Sequence, residues 1–192
     1  KGEKVRRQMC LTLEELGIQP ETSHHEQGPG QHEIDFKYAS PLQAADNLVT
    51  FKWAVKVLAE QNGLFASFLP KPLPDQPGSG LHVNLSLFRQ GENLFRNPDT
   101  NTHNRTSEAF LAGILRRVAE CTVFLNPLVN SYSRFGAFEA PRYITWSHQN
   151  RSQLVRIPAA QGDLRRMELR SPDAAINPYL AFSLLIQAGL EG

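Results

Sequence analysis

Apolar residues recur along this chain with two different periods, and each change of period marks the boundary of a predicted element. A spacing of three and four residues, which places apolar side chains on one face of a helix, holds through four stretches: 5–16, 41–63, 107–118 and the residues after 178. Ser40, Ser107 and Asn177 stand at the starts of the last three, and Pro41 and Pro178 follow two of them. Because Ser and Asn cap helices and proline fits the first turn, the sequence predicts helices with these starts.

A strand period of two appears in other segments and predicts a sheet. Alternation is clear at 31–38 and 81–87, and shorter strand-like runs lie at 64–69, 143–146, 154–157 and 166–170. In the second segment it places His82, Asn84 and Ser86 on one face and aliphatic residues on the other. Since strands and helices are interspersed and several strands have a hydrophilic face, we expect one α+β domain, with an antiparallel or mixed sheet covered on one side by helices.

The near-neutral charge of the chain narrows the classes of function. Its 192 residues include 20 Lys and Arg against 19 Asp and Glu, a net charge of +1, which excludes the strong positive field of a non-specific nucleic-acid binder. No apolar run approaches the roughly 20 residues that cross a bilayer, and the mean hydropathy is -0.37. Two cysteines without CxxC spacing suit a reducing compartment. We therefore expect a cytoplasmic protein without nucleic-acid or membrane partners.

Carboxylates and histidines cluster on both sides of a glycine-rich turn. His24, His25 and Glu26 precede the turn Gly28-Pro29-Gly30, and Glu33 lies beyond it on the polar face of a predicted strand. Two carboxylates that converge across a turn offer oxygen ligands, which Mg²⁺ and Mn²⁺ prefer. The same residues are also typical of a solvated loop and strand edge, because acidic side chains are usually exposed.

Two further patterns place ionisable side chains on strand faces. His82 follows the loop Gly78-Ser79-Gly80, whose backbone can approach a substrate closely because glycine has no side chain. Arg166, Glu168 and Arg170 share one face of another strand, where the carboxylate suits a metal and the guanidinium forks suit phosphate. Equally, a single His is often structural, and alternating charges often form a surface ion-pair ladder. With no Walker or GxGxxG motif, the residues alone predict a metal-and-anion site of unspecified purpose.

Taken together, the motifs resemble those of one known family in content and in order. They are His-His-Glu at 24–26, Gly-Gln-His-Glu-Ile-Asp-Phe at 30–36, Lys-Pro at 71–72, Gly-Ser-Gly-Leu-His at 78–82, Asn-Ser-Tyr with Arg at 130–134, Glu-Ala-Pro at 139–141, Asn-Arg-Ser to Arg-Ile-Pro at 150–158, Arg-Met-Glu-Leu-Arg at 166–170 and Asn-Pro-Tyr at 177–179. Over nearly its whole length the chain resembles the catalytic domain of class I glutamine synthetase. The resemblance implies that domain's guanido-kinase-like α+β fold, a curved sheet covered by helices.

The resemblance also implies ATP-dependent ligation of ammonia to glutamate through γ-glutamyl phosphate, with two or more Mg²⁺ or Mn²⁺ sites. The positions that match metal ligands are Glu26, Glu33, His82 and Glu168. The positions that match residues at the nucleotide are Ser86, Arg151, Arg156 and Arg166. The positions that match contacts of the substrate glutamate are Gly78, Arg134 and Arg170.

Three positions match residues that act on the reacting groups. Arg151 and Arg166 match arginines that also face the transferred phosphoryl group, and Glu139 matches a flap carboxylate. In the family this flap shields the intermediate and takes a proton from the incoming ammonium. Closure of such a flap over the intermediate has a physical reason, because water would hydrolyse an acyl phosphate before ammonia attacked it.

Two departures from the family pattern leave the acceptor amine open. Pro77 stands where the family usually has Asn, and Asn84 stands where it usually has a second His. Pro77 lacks a side-chain amide, and Asn84 cannot act as an imidazole. The alternatives to glutamine synthesis are a γ-glutamyl ligase that uses another amine or a polyamine, and a homologue without catalytic activity.

The resemblance further implies that residues 1–192 are a partial catalytic domain. Family members have a preceding β-grasp domain, a strand with further metal-binding glutamates and a C-terminal tail. Their active sites form between neighbouring subunits in stacked rings. We therefore expect the full-length parent to be a homo-oligomer that binds glutamate, ATP and ammonium, and we expect this piece alone to be inactive.

Overall fold

The computed structural model describes residues 2–97 and 104–192 of a chain that forms two units. The first unit spans Lys1–Ser79, and the second spans Gly80–Gly192. Each unit has its own helices and its own paired strands, so the predicted site residues belong to two separate sets of elements. Among the helices in the described residues, none combines the length and apolar character that crossing a bilayer requires.

The first unit combines two helices with a β-hairpin. Helices α1 (Gly2–Glu15) and α2 (Pro41–Gln61) contact each other, and strands β1 (Pro20–His25) and β2 (His32–Phe36) pair antiparallel. The left-handed Gly17 (φ +80°) ends α1, as a glycine beyond the last turn commonly does. The core of this unit consists of Leu13, Ile18 and Ala54, with Ile34, Phe36 and Phe51 packed against it.

The second unit contains a four-stranded mixed sheet and a two-stranded hairpin. Its strands are β3 (Val83–Leu85), β4 (Phe88–Arg89), β5 (Glu92–Asn93), β6 (Trp146–His148), β7 (Val155–Ile157) and β8 (Met167–Leu169). The sheet order is β3-β8-β7-β6, while β4 and β5 form the hairpin. Strands β6 and β7 run parallel, and the other two pairs of the sheet are antiparallel. The predicted α+β class with a mixed sheet is confirmed.

The helices of the second unit are α3 (Arg105–Leu125), the single turn α4 (Val129–Tyr132) and α5 (Pro178–Leu190). Helices α3 and α5 pack closely, since a Cβ on Gly189 would lie 2.2 Å from the Phe110 ring. The start predicted for α3 is wrong, because its N-cap is Asn104 and not Ser107. The Ser107 N–H donates to Asn104 Oδ1 at 2.9 Å, and the Asn104 N–H donates back to Ser107 Oγ at 3.2 Å. This reciprocal cap begins the helix earlier than its apolar pattern does.

Three strand predictions also need correction. Residues 64–69 are extended and alternate in burial, but they pair with no strand among the described residues. The strand predicted at 81–87 is limited to β3, and the one predicted at 143–146 begins only at Trp146. Conversely, β1 was not predicted because its sequence, Pro-Glu-Thr-Ser-His-His, lacks apolar residues. Alternation of apolar and polar residues indicates which face of a segment is buried. A strand forms only where the backbone of that segment also hydrogen-bonds to a neighbouring strand in register.

Candidate functional site

The hairpin of the first unit brings two predicted metal ligands together and adds a third. His24 on β1 lies directly opposite Glu33 on β2, and His24 Nε2 lies 2.6 Å from Glu26 Oε1. One ligand atom from each of these three side chains lies within 4.8 Å of the others. We call His24, Glu26 and Glu33 the hairpin cluster. The His-His-Glu pattern at 24–26 did not predict a role for His24, although residues two apart in an extended chain point to the same side.

The hairpin cluster is short of positive charge. Burial, and after it the neighbouring carboxylates of Asp35 and Glu26, together raise the pKa of Glu33 from 4.5 to about 7. Asp35 is itself held by a hydrogen bond from the Thr22 hydroxyl. A divalent cation would offset this crowding of carboxylates, and oxygen ligands with an imidazole fit such an ion. The donor set therefore agrees with the metal-site prediction for Glu26 and Glu33.

A glutamine connects this hairpin to the proline- and glycine-rich loop. Gln31 Oε1 accepts a hydrogen bond from the Gly28 N–H at 3.0 Å, while its Nε2 donates to the carbonyl of Gly78 at 2.9 Å. The loop is also closed on itself, because the buried Lys71 donates to the Gln76 carbonyl at 2.6 Å. Gly78, the predicted substrate contact, is thus held by the residue that shapes the turn between Glu26 and Glu33.

In the second unit, Glu168 is the centre of a buried ion-pair cluster. On β8 it lies opposite Asn84 of β3 and Arg156 of β7, and its side chain is 6% exposed. Glu168 Oε1 accepts a hydrogen bond from Arg170 Nη1 at 2.6 Å, and Oε2 accepts one from Arg156 Nη1. His82 Nδ1 lies 3.2 Å from Oε1. We call these four residues, His82, Arg156, Glu168 and Arg170, the Glu168 cluster.

The Glu168 cluster is rich in cationic donors. The buried Nε atoms of Arg156 and Arg170 have no hydrogen-bond partner. Buried polar groups are normally paired, so unpaired guanidinium donors favour an anionic ligand. The predicted metal ligands His82 and Glu168 do meet, but a cation there would share the carboxylate with two arginines.

Two of the predicted contacts of the substrate glutamate, Arg134 and Arg170, lie together at the end of β8 in the second unit. Arg134, which is 3% exposed, donates from Nη1 to the Ser171 carbonyl at 2.7 Å and from Nη2 to the Arg170 carbonyl at 2.8 Å. Burial lowers the pKa of Arg134 to about 10. Position 80 beside Arg134 requires a glycine, because a Cβ there would lie 2.9 Å from Arg134 Nη2. Arg134 therefore fixes the backbone that carries Arg170.

Arg170 also connects the cluster to the predicted flap carboxylate. Arg170 Nη2 lies 3.6 Å from Glu139 Oε2, and the Glu139 side chain is 49% exposed. Glu139 follows Phe138, whose φ of 54° is unusual for a residue with a side chain. The Glu139 carboxylate thus makes one long ion-pair contact with the Glu168 cluster and remains accessible to solvent.

The remaining predicted nucleotide residues have different surroundings. Arg166 donates from Nε to Asn84 Oδ1 and from Nη1 to the Leu164 carbonyl, both at 3.1 Å. Ser86 is half-buried just after β3, and Arg151 is exposed in the turn between β6 and β7. Within the described residues, neither Ser86 nor Arg151 forms an ion pair or hydrogen bond with the Glu168 cluster. Their predicted roles remain predictions.

Comparison with curated proteins finds relatives that are similar to this chain in sequence and longer than it. Glutamine synthetase of Methanosarcina mazei is 52% identical over all of this chain, which covers 43% of that protein. Glutamine synthetase of Thermus thermophilus is 50% identical, again over all of this chain and 44% of that protein. The chain therefore spans less than half the length of these relatives.

Solved structures agree with this result. Plasmodium falciparum glutamine synthetase matches 97% of this chain with a TM-score of 0.93 and 32% identity, over 37% of that structure's chain. A structure titled "Apo GmaS without ligand" matches 98% of this chain with a TM-score of 0.89 and 39% identity, over 44% of its own chain. Residues 1–192 also match the family model described as "Glutamine synthetase, catalytic domain". The chain belongs to the glutamine synthetase catalytic-domain family.

Proposed function

We propose that this chain is part of the catalytic domain of a glutamine synthetase, whose full-length protein joins ammonia to the γ-carboxylate of L-glutamate with cleavage of ATP. The observation that carries the proposal is the 52% identity with a glutamine synthetase over the whole chain. Because the chain spans 43% of that relative, we infer that the family's β-grasp domain, first metal-binding strand and C-terminal tail belong to the same longer protein. We also infer a cytoplasmic homo-oligomer of stacked rings.

The donor sets indicate where divalent cations would bind. Glu26 and Glu33, with His24, would hold one Mg²⁺ or Mn²⁺ ion, and His82 with Glu168 would contribute to another. Bound cations would supply charge that neutralises phosphate oxygens. The chain itself contributes guanidinium groups for the same purpose, from Arg151, Arg156 and Arg166.

In the proposed reaction, a γ-carboxylate oxygen of glutamate attacks the γ-phosphorus of ATP, and ADP leaves. Ammonia then attacks the γ-carbonyl carbon of γ-glutamyl phosphate, phosphate leaves, and glutamine forms. We assign the proton released by ammonium to Glu139, whose half-exposed carboxylate lies 3.6 Å from Arg170. Arg134 and Arg170 hold the substrate glutamate, and Gly78 approaches it with backbone atoms alone.

Pro77 and Asn84 favour a second candidate, a γ-glutamyl ligase that uses another amine. Both residues depart from the family pattern at the loop and strand that precede and follow His82. A homologue without activity is less consistent with the chain, because the residues that match the family's metal ligands and flap carboxylate are present: Glu26, Glu33, His82, Glu139 and Glu168.

An amine panel with the full-length protein distinguishes these functions. Phosphate release from ATP is measured with glutamate plus ammonium, small alkylamines or polyamines, and a reaction without glutamate is the control. We expect release with ammonium and its loss in Glu168→Ala. Release with another amine and none with ammonium supports the second candidate. Release that persists in Glu168→Ala, or its absence with every amine, contradicts the proposed function.

A further inference from the structure

Asn84 lies in a row of polar residues that crosses the four-stranded sheet. In the antiparallel register of β3 and β8 it is directly opposite Glu168, and Glu168 is directly opposite Arg156 on β7. The side chain of Asn84 does not join the Glu168 cluster. Its Oδ1 instead accepts a hydrogen bond from Arg166 Nε at 3.1 Å.

Arg166 differs from the two arginines of the Glu168 cluster in the kind of acceptor that holds it. Arg156 and Arg170 each contact a carboxylate oxygen of Glu168. Arg166 is held by two neutral acceptors, Asn84 Oδ1 and the Leu164 carbonyl at 3.1 Å each. Among the described residues, no carboxylate forms an ion pair with Arg166.

This arrangement orients a guanidinium without neutralising it. Two acceptors, one at Nε and one at Nη1, limit rotation of the planar group, while its positive charge stays available to a ligand. Such a fixed and uncompensated cation stabilises phosphate better than a mobile or paired one, because no reorganisation is needed on binding. An aspartate at position 84 would hold Arg166 equally well but would cancel its charge.

We propose that Asn84 is a positioning residue, which holds Arg166 through a neutral acceptor and so presents the full charge of that guanidinium to a nucleotide phosphate. This inference rests on the proposed function, because the role of Arg166 at the nucleotide is part of that proposal. It gives the departure at position 84 a role in nucleotide binding, separate from the choice of amine.

Two substitutions of similar shape separate orientation from charge. Asn84→Leu removes the acceptor, and Asn84→Asp keeps an acceptor oxygen but adds a negative charge. Binding of ADP in the presence of Mg²⁺ is measured by calorimetry on the full-length protein. We expect Asn84→Leu to weaken binding about tenfold, as for one lost hydrogen bond to a charged group. We expect Asn84→Asp to weaken binding as well, whereas a merely structural hydrogen bond predicts wild-type affinity for this variant.

A double-mutant cycle tests whether Asn84 acts through Arg166. If it does, Asn84→Leu has no further effect on ADP binding in the Arg166→Ala background. Asn47→Leu, the same chemical change on helix α2, is the matched control and keeps wild-type affinity. Thermal unfolding of each variant identifies any loss of folded protein.

Three results overturn the proposal: wild-type ADP affinity in Asn84→Leu, wild-type or tighter binding in Asn84→Asp, or an equal effect of Asn84→Leu with and without Arg166. Failure of the proposed function gives a different result. In that case the wild-type protein releases no phosphate with any amine, while the ADP-binding comparison among the variants still decides the role of Asn84. A wild-type protein that binds no ADP contradicts both.

Discussion

The hairpin cluster and the Glu168 cluster each contain a partly or fully buried glutamate, but the charges around the two are opposite. Glu33 has two further carboxylates nearby, and its pKa is raised to about 7. Glu168 is more deeply buried, yet both of its oxygens accept hydrogen bonds from guanidinium groups. Burial alone therefore does not decide what a carboxylate binds. The balance of charge around the carboxylate decides it, because a site with excess negative charge favours a cation and a site with excess positive charge favours an anion.

This difference indicates that the Glu168 cluster favours an anion beside the cation proposed at His82 and Glu168, whereas the hairpin cluster favours a cation alone. The hairpin cluster lacks positive charge and fits a divalent cation. The Glu168 cluster already contains two arginines, and their unpartnered Nε atoms fit an anion such as phosphate.

The largest expected effect is on stability in Glu168→Gln. The amide keeps the shape of the side chain but leaves Arg156 without its carboxylate partner, and it leaves Arg170, which is 4% exposed, with only the half-exposed Glu139 at 3.6 Å. Removing one member of a buried ion pair costs about 3 kcal/mol or more in free energy of unfolding. Urea unfolding measures this loss.

A matched control for this variant is Glu120→Gln. Glu120 pairs with Arg117 on the surface of α3 at 3.0 Å, so its loss is not expected to change stability measurably. Equal losses in the two variants would show that the Glu168 cluster does not stabilise the second unit.

The next effect concerns Glu33 and metal binding. Because the pKa of Glu33 is about 7 and a metal needs the ionised carboxylate, Mn²⁺ affinity should rise as the pH is increased through 7. Glu33→Gln should weaken Mn²⁺ binding and flatten this pH dependence. Calorimetric titrations between pH 5.5 and 8, chosen as about one unit or more on either side of that pKa, measure both. A wild-type affinity that is constant over this range contradicts the prediction.

The same raised pKa predicts how stability varies with pH in the metal-free protein. The folded state holds the Glu33 proton more tightly than the unfolded chain, whose value is near 4.5. This contribution to stability is therefore complete below pH about 4.5 and is lost as the pH rises through about 7. Glu33→Gln should remove that part of the decline, and added Mn²⁺ should oppose it. Urea unfolding at several pH values provides the measurement.

The smallest expected effect is that of His24→Ala. His24 supplies the nitrogen ligand of the hairpin cluster, and its Nε2 lies 2.6 Å from Glu26 Oε1. Its loss should weaken Mn²⁺ binding by about tenfold or less, the lower range seen when a supporting group of a metal site is removed. His25→Ala is the control, because His25 points to the opposite face of β1, where its ring makes an edge-to-face contact with the ring of His32. Equal effects of the two variants would exclude His24 as a ligand.

Most of the helices and the polar strand faces were predictable from local pattern. The segment 41–61 has a proline at its start and a helical period, and it forms α2 as expected. Arg166, Glu168 and Arg170 were predicted on one strand face, and Arg170 does contact Glu168. Strand β1 was not predictable in this way, because its exposed polar residues have no period and become a strand only by pairing with β2. The position of His24 opposite Glu33 was not predicted for the same reason.

By itself the sequence determined the residue types at each candidate site, the family that these motifs resemble, and the helices whose apolar faces repeat within a few turns. Only the tertiary structure decided which charges face each other. Glu33 and Glu168 are the same residue type on similar short strands, and locally they differ in the residue two positions on, which is Asp35 for one and Arg170 for the other. Strand register adds the partners that are distant in sequence, because it places His24 opposite Glu33 and Arg156 opposite Glu168. Electrostatic interactions depend on distance through space, and residues far apart in sequence acquire those distances only when the strands pair.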